Sequence, residues 1–412
     1  METIFRCCAG LDVHKESVQA CLRVLDESGR LKQEVRGFGT MTGQLQALRD
    51  WLKAAQVTHV AMESTGVYWK PIYNILEEDF EVLLVNARHV KHVPGRKTDV
   101  ADCQWLAQLL QSGLLRGSFI PERTQRDLRD LTRHRTQLIN EQTRVANRVH
   151  KTLEDANIKL ASVASDILGV SGREMIEALI AGVEDPQQLA QAARTQLQKK
   201  IPELEQALQG RLREHHRFML RSLMDHLGDL ERQIRRFDER IEELMRPFAE
   251  PALRLDAIPG INQRSAQNIL SEIGVDMSRF PTEHHLCSWC GMAPGNNESA
   301  GKRKSGKTTQ GNRWLRRTLV QAAWAATRKK NSYFQAQYRR LVKRRGKKRA
   351  LVAVGHSILV VIYHMLKDNR TYEELGADFF DRKNVQKIAN YHLQRLKDLG
   401  LKVTVDLQKK TA

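Results

Sequence analysis

The sequence predicts a mixed α/β domain first, a long helical part next, and a mostly α-helical part last. Three patterns support this: strands and helices alternate over roughly the first 120 residues, heptad-spaced apolar residues follow, and a Pro-Gly turn then joins two apolar segments. A chain of 412 residues exceeds the usual size of one hydrophobic core. The predicted domains are 1–120, 121–250, 251–366 and an extension, 367–412, with a helix at 382–399 and a final strand.

The N-terminal pattern predicts three strands, followed by alternating helices and strands. The three strands are expected at 5–14, 17–25 and 31–38, because these segments are apolar or alternate, with a turn at 28–30. The later elements are a helix at 41–54, a strand at 59–63, a helix at 69–77, a strand at 80–85 and a helix at 99–111. This is the order of the ribonuclease H fold, a mixed sheet flanked by helices.

The middle part contains an apolar seam whose spacing alternates between three and four residues, which favours a coiled coil. Its members are Leu220, Leu223, Leu227, Leu230, Ile234, Phe237, Ile241 and Leu244. A weaker seam, interrupted by Arg135 and Gln142, consists of Leu128, Leu131, Leu138, Val145 and Val149. The helices could pair within one chain or between subunits. They could form a dimerisation arm that touches nucleic acid, or an inert spacer.

The charge balance indicates a polyanionic partner. The chain has 67 Lys+Arg against 48 Asp+Glu, a formal net charge of +19. Residues 301–349 contribute 18 Lys/Arg and no Asp or Glu. Aromatic residues are interleaved with them, and these are Trp314, Trp324, Tyr333, Phe334 and Tyr338. A charge run is often only a solvated face, but cations neutralise phosphates and aromatic rings stack on bases, so we expect nucleic acid to bind here.

Membrane and metal signals are weak. No apolar run approaches the length of a membrane span and no signal-peptide core is present, so a cytoplasmic, nucleoid-associated protein without a membrane partner is expected. The six cysteines should be free thiols. Cys287 and Cys290, preceded by His284 and His285, could form half of a zinc site. Because no second ligand pair follows, small buried residues beside Trp289 are the favoured interpretation.

A helix-hairpin-helix-like element is predicted after Pro247 and Pro251. The Pro-Gly turn at 259–260 precedes an apolar segment that ends at Ile273. Such a turn can present backbone N–H groups to a phosphate, and the basic segment follows directly. The alternative is an ordinary pair of packed helices.

Four acids lie where two-metal phosphodiester chemistry needs them. A ribonuclease H fold carries an acid on its first strand, one at the end of its fourth strand and others on its last helix; here these are Asp12, Glu63, Asp99 and Asp102. Taken singly, Asp99 could be a helix N-cap with Asp102 in a capping box, and Glu63 could simply end a strand. The coincidence of all four at the expected places favours a metal site.

The surrounding motifs make the resemblance specific. GLDVHK at 10–15, ESTGVYW at 63–69 and GRKTDVAD at 95–102 resemble the motifs of insertion-sequence transposases with an N-terminal DEDD domain, a family that includes the Piv-type DNA invertases. The resemblance implies a RuvC-like domain, similar to Holliday-junction resolvases. It also implies that Asp12, Glu63, Asp99 and Asp102 are catalytic and bind Mg²⁺.

The family's second signature lies in the C-terminal part, at 289–302 and 304–316. By resemblance, Ser299 is the nucleophile that forms a phosphoserine link with DNA. Ser305 is the rival, and Ala300 departs from the Gly that often follows the serine. Lys302, Arg303 and Lys304 could stabilise a pentacoordinate phosphate. The remaining predicted nucleic-acid-binding residues, which could also position the loop, are Lys307, Asn312, Arg313, Arg316 and Arg317.

The resemblance implies a site-specific recombinase that acts as a dimer, or as a tetramer built from two dimers, on donor and target duplex DNA. It also implies guidance by a structured noncoding bridge RNA, which the basic arm and segment could bind. Two alternatives remain at this point. One is an Mg²⁺-dependent junction nuclease without a covalent intermediate, and the other is a non-catalytic nucleic-acid-binding protein.

Overall fold

The computed structural model describes residues 4–64, 66–85, 102–295, 297–299, 302–382 and 385–401. The side chains of 297–299, 303, 304 and 386–388 are outside this description. The chain divides into two compact units, Met1–Ile120 and Pro121–Ala412, and each is described separately below.

The first unit contains a mixed five-stranded sheet in the order β3-β2-β1-β4-β5. Strands β1, β2 and β3 pair antiparallel, whereas β4 and β5 continue the sheet in parallel with β1. The strands are β1 Cys7–Val13, β2 Ser17–Leu25, β3 Leu31–Gly39, β4 His59–Glu63 and β5 Glu81–Val85. The helices are α1 Thr42–Ala54, α2 Trp69–Leu76 and α3 Asp102–Gln111. The predicted α/β unit is therefore confirmed, with element ends shifted by one or two residues; the predicted start of the last helix, at 99, lies outside the described residues.

The sheet separates two apolar layers because side chains alternate between its faces. On one face, Ala9 and Leu11 join a core that includes Leu48 of α1 and Ile72 of α2. On the other face, Cys8 packs with Ala61 and Leu110 of α3. Helix α3 lies so close to β1 that a Cβ atom at Gly10 would overlap the carbonyl oxygen of Cys103. Glycine at this position thus lets α3 pack directly on the central strand.

The second unit is built on two long helices, α4 Arg123–Asp155 and α9 Glu214–Met245, which pack against each other within one chain. Most of the predicted apolar seam is buried between them and the short helices of the intervening segment. Those short helices are α5 Leu160–Val163, α6 Val170–Ala181, α7 Pro186–Ala190 and α8 Ile201–Ala207, with a 3-10 helix at Thr195–Lys200. The two long helices therefore pair within one chain, which was one of the two pairings that the sequence left open; the other was pairing between subunits. A coiled-coil dimerisation arm stays a prediction.

The rest of the second unit is mostly helical. Its helices are α10 Ala249–Asp256, α11 Gln263–Ile273, α12 Glu283–Cys290, α13 Arg313–Ala326, α14 Tyr333–Arg345, α15 Lys347–Lys367, α16 Phe379–Arg382 and α17 Val385–Asp398. Two 3-10 helices, Arg246–Phe248 and Met277–Arg279, and a hairpin of β6 Asn297–Ser299 with β7 Lys302–Ser305 complete it. The final strand predicted in the extension lies outside the described residues.

Two expectations change in this part. The helices α10 and α11 do form a hairpin, but its Pro-Gly turn is covered: a Cβ atom at Gly260 would overlap the carbonyl oxygen of Ala322 in α13. The contact supports the packing alternative. In addition, α15 is long and apolar enough to span a membrane, contrary to the expectation that no run approaches that length. It is a core helix, because Val354, Ile358 and Ile362 are fully buried.

Candidate active site

Asp12 and Glu63 lie at the same end of two neighbouring parallel strands. The last paired residues of β1 and β4 are Leu11 and Met62, so Asp12 and Glu63 occupy the next position on each strand. Adjacent strands run about 4.8 Å apart. Side-chain alternation from Gly10 and Ala61 directs both acids to the face that α3 covers. The sheet therefore brings together two acids that are 51 residues apart in the sequence.

Asp102 is the first residue of α3 and lies at this face as well. Cys103 reports its surroundings: burial raises the pKa of this thiol above its usual value, and the negative charges of Asp12 and then Asp102 raise it further. Both carboxylates are therefore close to the same thiol. Three of the four predicted acids share one edge of the sheet, and Asp99 lies outside the described residues.

The donor chemistry of this edge suits a hard divalent cation, because carboxylate oxygens are the ligands that Mg²⁺ prefers. Within the described part of the chain, however, no three His, Cys, Asp or Glu side chains converge closely enough to hold an ion. Asp12 is only about a quarter exposed, at 26%. The described residues thus provide the strands and the helix of a carboxylate site without its full ligand set.

His14 contacts the first acid, and the sequence pattern alone gave it no role. Its Nε2 atom lies 3.1 Å from Oδ2 of Asp12. Because the two residues are two apart on the chain, they emerge on the same face of the strand or its extension. The signal that could have indicated this contact is the i, i+2 spacing within GLDVHK.

The predicted nucleophile lies on the small hairpin of the second unit. Ser299 is the last residue of β6 and pairs with Lys302 of β7. Its side chain is outside the description, so its role remains a prediction. The hydroxyl of the rival, Ser305, accepts a hydrogen bond of 3.2 Å from the backbone N–H of Lys307. That bond gives Ser305 a local structural use.

The base of the hairpin is held by backbone contacts. The N–H of Gly295 donates to the carbonyl of Lys307 at 2.9 Å, and the N–H of Asn312 donates to the carbonyl of Trp289 at 3.2 Å. Gly311 has a φ of +50°, and a Cβ atom there would overlap the backbone N of Gly291. Gly291 and Gly311 therefore allow the segment that leads into the hairpin to meet the segment that leads out of it.

Asn312 is the N-cap residue of α13 and ties this helix to a buried acid. Its Oδ1 accepts hydrogen bonds from the N–H groups of Trp314 and Leu315, at 3.0 and 3.1 Å. Its Nδ2 donates to Oε2 of Glu272 at 2.6 Å. These contacts support the loop-positioning role predicted for Asn312, and its nucleic-acid-binding role stays a prediction.

Glu272 is the centre of a buried network that the sequence pattern did not reveal. It is 2% exposed and accepts two hydrogen bonds from Arg133, at 2.7 and 2.8 Å. Arg129 lies 3.2 Å from its Oε2 atom. Burial lowers the pKa of Arg129 to about 10, and the charge of Glu272 opposes that shift. The sequence signal that could have indicated this network is an acid inside the apolar segment of α11. A buried carboxylate needs hydrogen-bond or charged partners.

The predicted basic residues of α13 lie beside the hairpin base. Arg313, Arg316 and Arg317 line an open cleft with Gln310 and Gly311. Nη1 of Arg316 donates to the carbonyl of Thr309 at 3.1 Å, and Nη2 of Arg317 donates to Oδ1 of Asn140 at 2.5 Å. Lys302 and Lys307 are exposed, whereas the side chains of Arg303 and Lys304 lie outside the description. Three arginine side chains therefore line one cleft beside the hairpin base.

The aromatic residues of the basic segment differ in their use. Phe334 is fully buried, so it cannot stack on a base, contrary to the expectation for that residue. The guanidinium carbons of Arg133 and Arg313 lie 5.7 and 5.1 Å from the ring centre of Trp314. Trp324 is 45% exposed and remains available for stacking.

Cys287 and Cys290 are buried in α12, as the favoured interpretation of the C-x-x-C motif expected. Burial raises the pKa of the Cys287 thiol to about 12, and it raises the pKa of Cys290 further still. Burial therefore favours the protonated form of both thiols.

Comparisons with known proteins match segments of both units. A sequence model described as "Transposase", of the DEDD type, matches residues 9–158, and a second, "Transposase IS116/IS110/IS902 family", matches residues 252–339. The transposase for insertion sequence element IS1111A of Coxiella burnetii is 23% identical over 88% of this chain and 90% of its own length. A putative transposase of Sinorhizobium fredii is 24% identical over 77% of this chain and 75% of its own. The pilin gene-inverting protein of Moraxella bovis is 28% identical over 29% of this chain and 38% of its own length.

The acids of the sheet and the hairpin motif thus lie within segments matched by transposase models, and the chain is an enzyme that cleaves and rejoins DNA. It belongs to the IS116/IS110/IS902 family of insertion-sequence transposases.

Proposed function

We propose that this transposase is an Mg²⁺-dependent serine recombinase whose first unit has a ribonuclease H, RuvC-like fold. The observation that carries the proposal is the adjacent placement of Asp12 and Glu63 on β1 and β4, with Asp102 starting the helix on the same face. Asp99 would complete the ligand set. A bound Mg²⁺ would stabilise charge on the attacking and leaving oxygens of a phosphodiester.

In the proposed reaction, Oγ of Ser299 attacks a DNA phosphorus. An Oγ–P bond forms, the P–O bond to one deoxyribose breaks, and the released sugar oxygen takes up the proton that the serine gives up, which leaves a free sugar hydroxyl. A hydroxyl of another strand then attacks the phosphoserine, which restores the serine and joins the new strand. The link conserves the phosphodiester energy, so no external energy source is needed. The name of the Moraxella protein, an inverter of a gene segment, supports strand exchange over simple cleavage.

The nucleic-acid partners in this proposal are donor and target duplex DNA and a structured bridge RNA. The net charge of +19 supports polyanion binding, and the cleft of Arg313, Arg316 and Arg317 supports its placement near the hairpin. We further propose that α4 and α9 form a coiled-coil arm that joins subunits into a dimer, or into a tetramer of two dimers. Such an enzyme would work in the cytoplasm on the nucleoid.

The test is a search for a covalent protein–DNA adduct. The full-length protein is mixed with its element-end DNA, total RNA transcribed from the same element and Mg²⁺, and the mixture is denatured before electrophoresis. An adduct that survives denaturation and disappears in Ser299→Ala supports the proposal. Ser305→Ala is the matched control and should retain the adduct. Nicked DNA without an adduct would instead indicate the junction-nuclease alternative.

A further inference from the structure

Six cations lie at the junction between α14 and α15, apart from the residues assigned to the hairpin. We call this group the basic knuckle; its members are Lys343, Arg344, Arg345, Lys347, Lys348 and Arg349. All six are exposed. Gly346, between the two helices, has a φ of +76°, and a Cβ atom there would meet no other atom within 4 Å. The knuckle is therefore an open, solvent-facing corner of the second unit.

The charge of the knuckle is not balanced locally. The sequence from 301 to 349 contains no Asp or Glu, and none of the six cations has an ion pair with a carboxylate among the described residues. The surface of α9 shows the usual arrangement, in which Arg232 pairs with Asp229 and Arg240 pairs with Glu243. Unbalanced positive charge at one corner is the electrostatic signature of a polyanion site.

The position of the cations on the helices makes the imbalance unfavourable in the free protein. Lys343, Arg344 and Arg345 end α14, where a helix dipole favours positive charge. Lys347, Lys348 and Arg349 start α15, where the dipole disfavours it, and no acid occupies that first turn. A bound polyanion would relieve this repulsion.

We propose that the basic knuckle binds the phosphate backbone of duplex DNA without reading its sequence. Residues 339–352 contain no aromatic side chain, whereas recognition of unpaired RNA bases commonly uses aromatic stacking. The knuckle also lies beyond residue 339, where the match to the family's second sequence model ends. It would thus be a DNA anchor of the proposed recombinase, on which the inference rests.

The experiment measures binding of the full-length protein to a short non-cognate DNA duplex by fluorescence anisotropy, at several salt concentrations. In a variant with all six cations changed to Gln, the slope of log affinity against log salt should become shallower by about 0.9 for each phosphate that the variant no longer neutralises. If most of the six cations neutralise phosphates, the slope changes by about 3 to 5 and the affinity at moderate salt falls about tenfold or more. Thermal unfolding should show an unchanged or higher Tm, because repulsion has been removed.

Two matched variants control for charge number and for side-chain identity. Exchanging Lys343 for Arg and Arg344 and Arg345 for Lys keeps the charge and should keep the affinity. Changing Lys199, Arg235 and Arg236 to Gln removes three exposed cations elsewhere and should alter the slope less than changing Lys343, Arg344 and Arg345 to Gln. An unchanged slope in the six-residue variant, or a loss confined to an RNA duplex of the same sequence, would overturn the proposal. The Ser299 adduct, formed at low salt, should persist in the six-residue variant. A failure of the DNA-anchor proposal can therefore be distinguished from a failure of the proposed recombinase function.

Discussion

The side-chain amide of Asn312 donates a 2.6 Å hydrogen bond to the buried carboxylate of Glu272, and the same side chain caps α13. One residue thus joins the end of the hairpin motif to the network of Arg129 and Arg133 on the long helix α4. A displacement of α4 should therefore reach the segment that presents Ser299.

Asn312→Ala should destabilise the protein by more than the loss of a helix cap alone. An N-cap substitution costs about 1 kcal/mol, and the lost hydrogen bond to the buried, charged carboxylate of Glu272 adds about 1.5 to 3 kcal/mol. Urea denaturation would measure the difference. The matched control is Asn262→Ala, since Asn262 caps α11 through Ser265 and has exposed surroundings. Equal losses at the two positions would contradict the coupling to Glu272.

Glu272→Gln should cost about 3 kcal/mol or more of unfolding free energy, as expected when one partner of a buried ion pair is removed. Arg129 and Arg133, which are 12% and 29% exposed, would lose the charge that compensates them. Glu243→Gln is a suitable control because Glu243 and its partner Arg240 are both more than half exposed. That exposed pair should change stability by about 0.5 kcal/mol or less. A similar small change at Glu272 would show that the network is not needed for stability.

Gly10→Ala should displace α3 from β1, because the added methyl group would overlap the backbone of Cys103 and Ala107. Overpacking of this kind costs about 1 to 3 kcal/mol. Asp102 starts α3 and Asp12 ends the packed part of β1, so a displaced α3 would move the two acids apart. Mg²⁺-dependent DNA cleavage should therefore fall by a larger factor than the folded fraction of the protein. Gly43→Ala, in α1, adds a methyl group where no atom lies within 4 Å and should leave both unchanged. Full cleavage activity in Gly10→Ala would contradict the proposed role of this contact.

The sequence predicted the first unit well because its information is local. Strands and helices alternate over short distances, and each apolar pattern specifies its own element, so β2 and β4 were predicted at the residues where they occur. The acids were predicted from the places that such a fold gives them. Their spatial relation still required the register of β1 with β4, which no local pattern encodes.

The sequence predicted the second unit less completely because its decisive contacts are distant in the chain. Arg135 interrupts an apolar seam yet is 1% exposed. Its hydrogen-bond partners, Asp238, Gln267 and Asn268, lie more than 100 residues away in the sequence, so no local pattern indicates that it is buried. A heptad pattern likewise does not say which helix it pairs with. Phe334 was expected to face nucleic acid because of the cations around it, although it belongs to the core.

The central claim is that Asp12, Glu63 and Asp102 hold divalent ions together with Asp99, and it can be tested without any DNA. Fe²⁺ bound in place of Mg²⁺, with ascorbate and peroxide, cleaves polypeptide close to the ion, and mass spectrometry locates the cuts. We predict cuts at the ends of β1 and β4 and near the start of α3, suppressed by excess Mg²⁺ and lost in Asp12→Asn and Glu63→Gln. Cuts at other places, or cuts at these places that persist in both variants, would contradict the claim.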